Sequence, residues 1–175
     1  MSEYVKMKLE SLSAQFKLEW FDFRDTDNDV LNLGCGPDYV DGWTNIDGDV
    51  SVKADVHHDL EITPLPFKDN SYDVICAIHI LEHIHNLVPL QAEFNRILRR
   101  PHGRAFIVVP HYGSPDAWGD PTHCRAFSNQ SFWPCYWPGI TKLTYNISPV
   151  QPSEGPQGNW IVTTLFYGEE MKDGE

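Results

Sequence analysis

The chain has 175 residues, 41% hydrophobic and 22% charged, with 25 acidic against 13 basic side chains and a formal net charge of −12. That length builds one substantial core rather than two, and no apolar run approaches the ~20 residues that span a bilayer. The acidic balance opposes binding to phosphate backbones, which rests on cationic groups displacing counterions, and the four cysteines form neither a CxxC pair nor a disulfide framework.

In chain order, Val5, Leu9, Leu12, Phe16 and Trp20 recur at steps of three and four, which predicts an N-terminal helix within residues 1–22. The opening MSEYVKMKLES lacks the uninterrupted apolar stretch of a signal peptide, so a cytoplasmic protein is the expectation. Short strands follow at Val30–Gly34, Trp43–Asp47, Ala54–Leu60 and Tyr72–His79. The last is apolar nearly throughout, as in a parallel sheet buried on both faces. Asn86–Arg99 reads as a helix with Pro89 in its first turn and Pro101 and Gly103 beyond its end. Arg104–Pro110 is a fifth strand. Lys142–Val150 and Trp160–Tyr167 close the chain as a pair joined by a Pro/Gly-rich turn.

Residues 111–140 interrupt this rhythm with prolines, glycines and the aromatics Trp118, Phe127, Phe132, Trp133, Tyr136 and Trp137. A long connection of this kind is usually functional, and so many aromatics argue against disorder. The expected organisation is a single domain, with a ligand-binding core over 30–110, an aromatic lid over 111–140 and closing strands over 141–170. The expected links between the first three strands, 35–42 and 48–53, are too short for a crossover helix. One end of the sheet should therefore need cover from the N-terminal helix or from a second subunit in a homodimer.

Several segments carry chemistry. Val30–Leu33 runs into Gly34-Cys35-Gly36, a turn that brings main chain close to a ligand. Tyr39 stands where a dinucleotide fingerprint needs its third glycine, which disfavours NAD or FAD. Asn45-Ile46-Asp47 ends the second strand with a carboxylate able to accept from both hydroxyls of a ribose. Next come His58-Asp59-Leu60, then PLPFKDNSYD over residues 64–73, and His79-Ile80-Leu81-Glu82-His83 after the fourth strand. In an open α/β sheet all these groups converge beyond the carboxyl ends of the central strands.

The series LNLGCG, NID, DL, PLPFKDNSYDVICAIHILEH and RILRRPHGRAFIVVP resembles that of the class I S-adenosylmethionine-dependent methyltransferases over residues 30–110. It is closest to a short subgroup with a compressed GCG…GWxNID opening. The resemblance implies an α/β fold: a mostly parallel Rossmann-like sheet of about seven strands, a C-terminal antiparallel pair and shortened helices between the first three strands. It implies S-adenosylmethionine as cofactor, with Gly34, Cys35 and Gly36 at its methionine end and Asp47 on the ribose hydroxyls. Asp59 would then take the adenine amine, Leu60 the ring, and His79 the methionine and ribose side. Asn32 stands where the family often has an acid, which weakens the expected contact to the cofactor's amino group.

For an acceptor that must lose a proton, the candidate bases are His79, His83, His111 and His123. His111 directly follows the fifth strand, and His123 ends Asp116-Ala117-Trp118-Gly119-Asp120-Pro121-Thr122-His123. The catalytic assignment is His111 or His123 as base or acceptor-binding group, with Asp120 orienting one of them; hydrogen-bonded loop residues are the plain alternative. His111, His123, Cys124 and Cys135 match no zinc spacing, so no metal is expected. Pro134-Cys135 lies too late for a cytosine-methylating nucleophile, and His79-Ile80-Leu81-Glu82 replaces the signature of amino-methylating DNA enzymes. The expected acceptor is an oxygen or nitrogen of a small molecule or glycan, with no membrane partner. A weak or inactive cofactor-binding module, aminopropyl transfer and nucleic-acid methylation are the alternatives.

Overall fold

The computed structural model describes residues 28–148 and 160–167. The expected N-terminal helix, the last two residues of the expected sixth strand, the turn at 151–159 and the tail lie outside the described residues.

Seven strands form one sheet in the order β3-β2-β1-β4-β5-β7-β6. They are β1 (Val30–Leu33), β2 (Thr44–Asp47), β3 (Val56–His57), β4 (Val74–Ile78), β5 (Gly103–Pro110), β6 (Ile140–Ser148) and β7 (Trp160–Tyr167). The first five run parallel, and β7 lies antiparallel between β5 and β6. The sequence expectation of a mostly parallel Rossmann-like sheet with a closing antiparallel pair holds. The expected third strand contracts to Val56–His57; the flanking Asp55 and His58 N–H groups donate to the Asn45 and Asp47 carbonyls of β2. Tyr72, expected inside the fourth strand, makes an isolated bridge to Leu98.

The helix α1 (Leu87–Ile97) supplies the main apolar layer. Leu87, Leu90, Phe94 and Ile97 fall on one side at steps of three and four and are buried, while Val88 on the other side is 74% exposed. They share one core with Leu31, Leu33, Ile46, Ile75, Ala77, Ile107 and Val109. Each such large side chain contributes about 1.5–3 kcal/mol by leaving water. The helix stops at Leu98, which is extended, and residue 100 precedes a proline that disfavours helical backbone.

Two carboxylates tie loops to α1. Glu61 accepts from the His85 and Asn86 N–H groups at 2.6 and 2.8 Å, satisfying donors just before a helix whose N-cap makes no side-chain bond. Glu93 accepts the Leu65 N–H at 2.7 Å and pairs with Arg96. Arg96 in turn donates to the Phe67 carbonyl at 2.7 Å and to Asp69 at 2.8 Å, so the LPFKD segment is clamped to the helix. Arg99 bridges Asp29 and Asp73, each at 2.6 Å. The basic cluster near 96–104 is thus largely committed to internal partners.

No helix links β1 to β2 or β2 to β3. Residues 34–43 and 48–55 are turns and irregular chain, as their shortness predicts. A polar network takes the place of the missing helix. Asn45, fully buried, donates from its side chain to Asp55 at 2.9 Å and accepts from Asn32 at 3.0 Å and from Val40 N–H at 2.9 Å.

Candidate functional site

The parallel strands deliver five chain segments to one edge of the sheet. The crevice lies between β1 and β4, where the connection reverses direction, and such a switch point is where open α/β sheets bind ligands.

On the β1 side, Gly34 has φ +66° and Gly36 has φ +49°, the left-handed region that disfavours a Cβ. A Cβ on Gly34 would stand 2.4 Å from Ile80 Cγ1, so the turn is packed tightly against the segment that follows β4. Among the described residues a Cβ on Gly36 would meet nothing within 4 Å, so a ligand can approach the main chain there. Cys35 between them is buried, and its thiol donates to the Lys53 carbonyl at 3.6 Å. Burial first, then the Asp47 charge, pushes that thiol up to about 11, so it stays protonated at neutral pH.

Asp47 ends β2 facing this turn. Its Oδ2 accepts the Gly36 N–H at 2.7 Å and its Oδ1 the Asp49 N–H at 2.8 Å. An ionised carboxylate offers about four acceptor positions, so both oxygens retain capacity for a ligand hydroxyl. Asn32, considered for the cofactor's amino group, is 7% exposed and directs its amide NH2 to Asp38 O and Asn45 Oδ1. It holds the short loop. Asn45 and Asp55, whose roles the sequence did not reveal, complete that loop. Hydrogen bonds from the Asn45 side chain, then from its N–H and from the Tyr39 hydroxyl, hold the Asp55 carboxyl below its ordinary range. Asp59 is exposed and accepts the Glu61 N–H at 2.9 Å, while Leu60 beside it is buried within the main core.

On the β4 side, His79 adopts φ +53°, an uncommon state for a residue with a side chain. Its N–H donates to the Val108 carbonyl at 2.9 Å, and its Nδ1 lies 3.3 Å from Glu82 Oε1. Leu81–His83 then form a 3-10 turn whose Glu82 is almost wholly buried.

The 111–140 segment divides its aromatics between two tasks. Phe127, Phe132 and Trp137 are buried and stack in series onto Phe94 of α1. Tyr112, Trp118, Trp133 and Tyr136 are exposed. Two short helices, α2 (Asp116–Gly119) and a 3-10 turn (Asn129–Phe132), shape it. An open groove of about 440 Å³ is lined by Tyr112, Ala126, Ser128, Asn129, Gln130 and Ser131. Its lining residue Tyr112 directly follows His111, which makes a bridge to Phe127.

The candidate bases differ in which nitrogen is available. His111 Nδ1 accepts the Gly113 N–H at 3.2 Å, so its neutral ring carries the proton on Nε2. His123 Nδ1 faces the Ala117 carbonyl at 3.3 Å, an acceptor only, which places the proton on Nδ1 and the lone pair on Nε2. Asp120 Oδ1 accepts from the Thr122 N–H and hydroxyl at 2.8 and 2.6 Å. Those two bonds lower the Asp120 carboxyl, while its Oδ2 is 4.0 Å from His123 Nε2. The structure brings His123 together with His83, ring centroids 4.7 Å apart, an association with no signal in the sequence.

The methyltransferase-domain family matches residues 31–107, the stretch that builds β1 to β5 and the crevice. That match takes in the glycine turn, Asp47 and the segment after β4, and S-adenosylmethionine is the cofactor it implies. None of the curated proteins matches this chain in sequence. Among solved structures, it resembles an S-adenosylmethionine-dependent methyltransferase from Archaeoglobus fulgidus, with TM-score 0.67 and 12% identity over 94% of this chain and 100% of the other. A methyltransferase from Thermotoga maritima superposes with TM-score 0.65 and 14% identity, over 84% of this chain and 86% of the other. The YcgJ protein of Bacillus subtilis gives 0.59 and 16%, over 81% and 92%. At such identities these likenesses show the shared fold.

Residues of this crevice fit the cofactor that the family match implies. The open cradle over Gly36 admits a ligand against the main chain, and Asp47 beside it keeps free acceptor positions.

Proposed function

We propose that this methyltransferase transfers the methyl group to an oxygen or nitrogen of a hydrophilic small molecule or glycan. The observation that carries this reading is the groove lined by Tyr112, the residue after His111, with Ala126, Ser128, Asn129, Gln130 and Ser131. Its hydroxyl and amide side chains offer both donors and acceptors, which suits an acceptor rich in hydroxyls.

The bound cofactor supplies an electrophilic methyl carbon on a sulfonium. Gly34, Cys35 and Gly36 would hold its methionine end, Asp47 its ribose, Asp59 and Leu60 its adenine, and His79 would line the crevice opposite the glycine turn. The crevice residues would hold that methyl carbon towards the acceptor's lone pair, with the thioether sulfur as the leaving group. The acceptor's proton leaves to water or to a nearby base. Alignment of the two reactants is the larger contribution, worth up to about 7–11 kcal/mol when geometry is right. His111, with its Nε2–H, acts here as a donor that orients the acceptor.

The test is methyl transfer from labelled S-adenosylmethionine to panels of sugars, polyols and amines, with RNA and DNA oligonucleotides in parallel. Labelled small-molecule product is the expected result. Label on the oligonucleotides alone, or tight cofactor binding with no product in any panel, would overturn it. His111→Ala should leave cofactor affinity within a factor of two while lowering turnover by about 10²-fold or more. A matching fall in affinity would make His111 a pocket residue instead.

A further inference from the structure

We propose that Glu82, His83 and His123 bind one divalent transition-metal ion beside the crevice. One ligand atom from each of the three lies within 4.8 Å of the others. The set is two imidazoles and one carboxylate from the two segments that follow β4 and β5.

The hydrogen bonds around the cluster prepare it for a cation. Glu82 is 1% exposed, and among the described residues its Oε2 has no hydrogen-bond partner, whereas Oε1 faces His79 Nδ1 at 3.3 Å. A buried carboxylate oxygen without a partner is costly, and a metal ion relieves that cost directly. His123 presents Nε2 because its Nδ1–H is held by the Ala117 carbonyl. The same holds for His83 by a longer chain. The Thr122 hydroxyl donates its proton to Asp120 at 2.6 Å, so its oxygen, 3.0 Å from His83 Nδ1, accepts from that ring. Both imidazoles therefore keep their Nε2 lone pairs, and a carbonyl or a hydroxyl-carboxylate pair orients each of them, the usual outer partners of metal-bound histidine.

The chain also brings the ligands together deliberately. The Cys124 N–H donates to the Glu82 carbonyl at 2.9 Å and the Cys124 thiol to the same oxygen at 3.2 Å. That anchor seats His123 against His83, although 40 positions separate them in sequence. Two imidazoles and a carboxylate suit zinc, cobalt, manganese or ferrous iron, and three protein ligands leave coordination positions open. The open positions would take an oxygen of the acceptor, which narrows the acceptor to oxygen-bearing molecules; this role rests on the methyl-transfer reading, whereas the binding of the ion does not.

The experiment uses the full-length chain without added histidines, stripped by chelator and titrated with cobalt(II) chloride. One equivalent bound per chain, with visible ligand-field absorption that zinc displaces, is the expected result. His83→Ala and His123→Ala should each weaken binding at least about tenfold, and His102→Ala, an exposed histidine elsewhere, should not. No cobalt spectrum, or one that survives unchanged in both folded variants, overturns the site. X-ray absorption of the zinc-loaded native chain needs no variant: nitrogen and oxygen neighbours at about 2.0–2.2 Å support the assignment, and sulfur at about 2.3 Å would overturn it in favour of Cys124. Calorimetric titration with S-adenosylmethionine, run on the same preparations, separates the two readings. Cobalt binding without cofactor binding would defeat the proposed function and leave the metal site standing.

Discussion

Asp47 commits one oxygen to Gly36 N–H and the other to Asp49 N–H, so this one side chain closes the glycine turn, and in the proposed reading it would also take the ribose. Asp47→Ala should weaken S-adenosylmethionine binding by about 1.5–3 kcal/mol, roughly tenfold or more, read by calorimetry. Unchanged affinity would remove it from the site. The two glycines predict opposite balances. Gly34→Ala meets Ile80 at 2.4 Å and keeps a positive φ, so it should lower stability by about 1–3 kcal/mol in thermal unfolding. Gly36→Ala points into open space, and its backbone strain costs only about 1–2 kcal/mol. Its larger effect should be on cofactor affinity, through the methyl group placed in the cradle.

At the scale of elements, the loop between β1 and β2 does with polar groups what a crossover helix does with apolar ones. Asn45 joins Asn32, Val40, Trp43 and Asp55, and its removal takes a partner from the buried Asn32 amide and from several part-buried groups. Asn45→Ala should cost about 2–3 kcal/mol by urea unfolding. The pH dependence has a definite sign. Asp55 and Glu61 both ionise more readily in the folded chain than in the unfolded one. Asp55 does so through its Asn45 bonds; Glu61 does so because the His85 and Asn86 N–H groups outweigh the opposing effect of burial. The stability they contribute is fully present above their unfolded values and drains away as pH falls from about 5 towards 3. The urea midpoint should drop over that range, and Asp55→Asn should flatten the drop. A midpoint independent of acid would contradict the network. The sequence showed that this loop could not hold a helix; what replaced it was illegible, because Asn45 and Asp55 make one unit only once β2 and the following turn are folded together.

For the whole molecule, charge and internal pairing act in the same direction. The net charge is −12, and Arg96 and Arg99, the basic residues most suggestive of a nucleic-acid surface, are held by Glu93, Asp69, Asp29 and Asp73. An RNA or DNA oligonucleotide should show no anisotropy change at physiological salt. Tight, salt-sensitive binding would reverse the choice of acceptor class. The sequence by itself determined the strand order of motifs, the glycine turn, the carboxylate after β2 and the absence of crossover helices, because these are local: they depend on period, turn chemistry and loop length within a few residues. Only the tertiary structure decided which aromatics of 111–140 belong to the core, which nitrogen of each histidine is free, and that His123 meets Glu82 and His83. Those facts depend on hydrogen bonds between segments about 40 positions apart, and such partners become neighbours only when the sheet brings its carboxyl edge to one place.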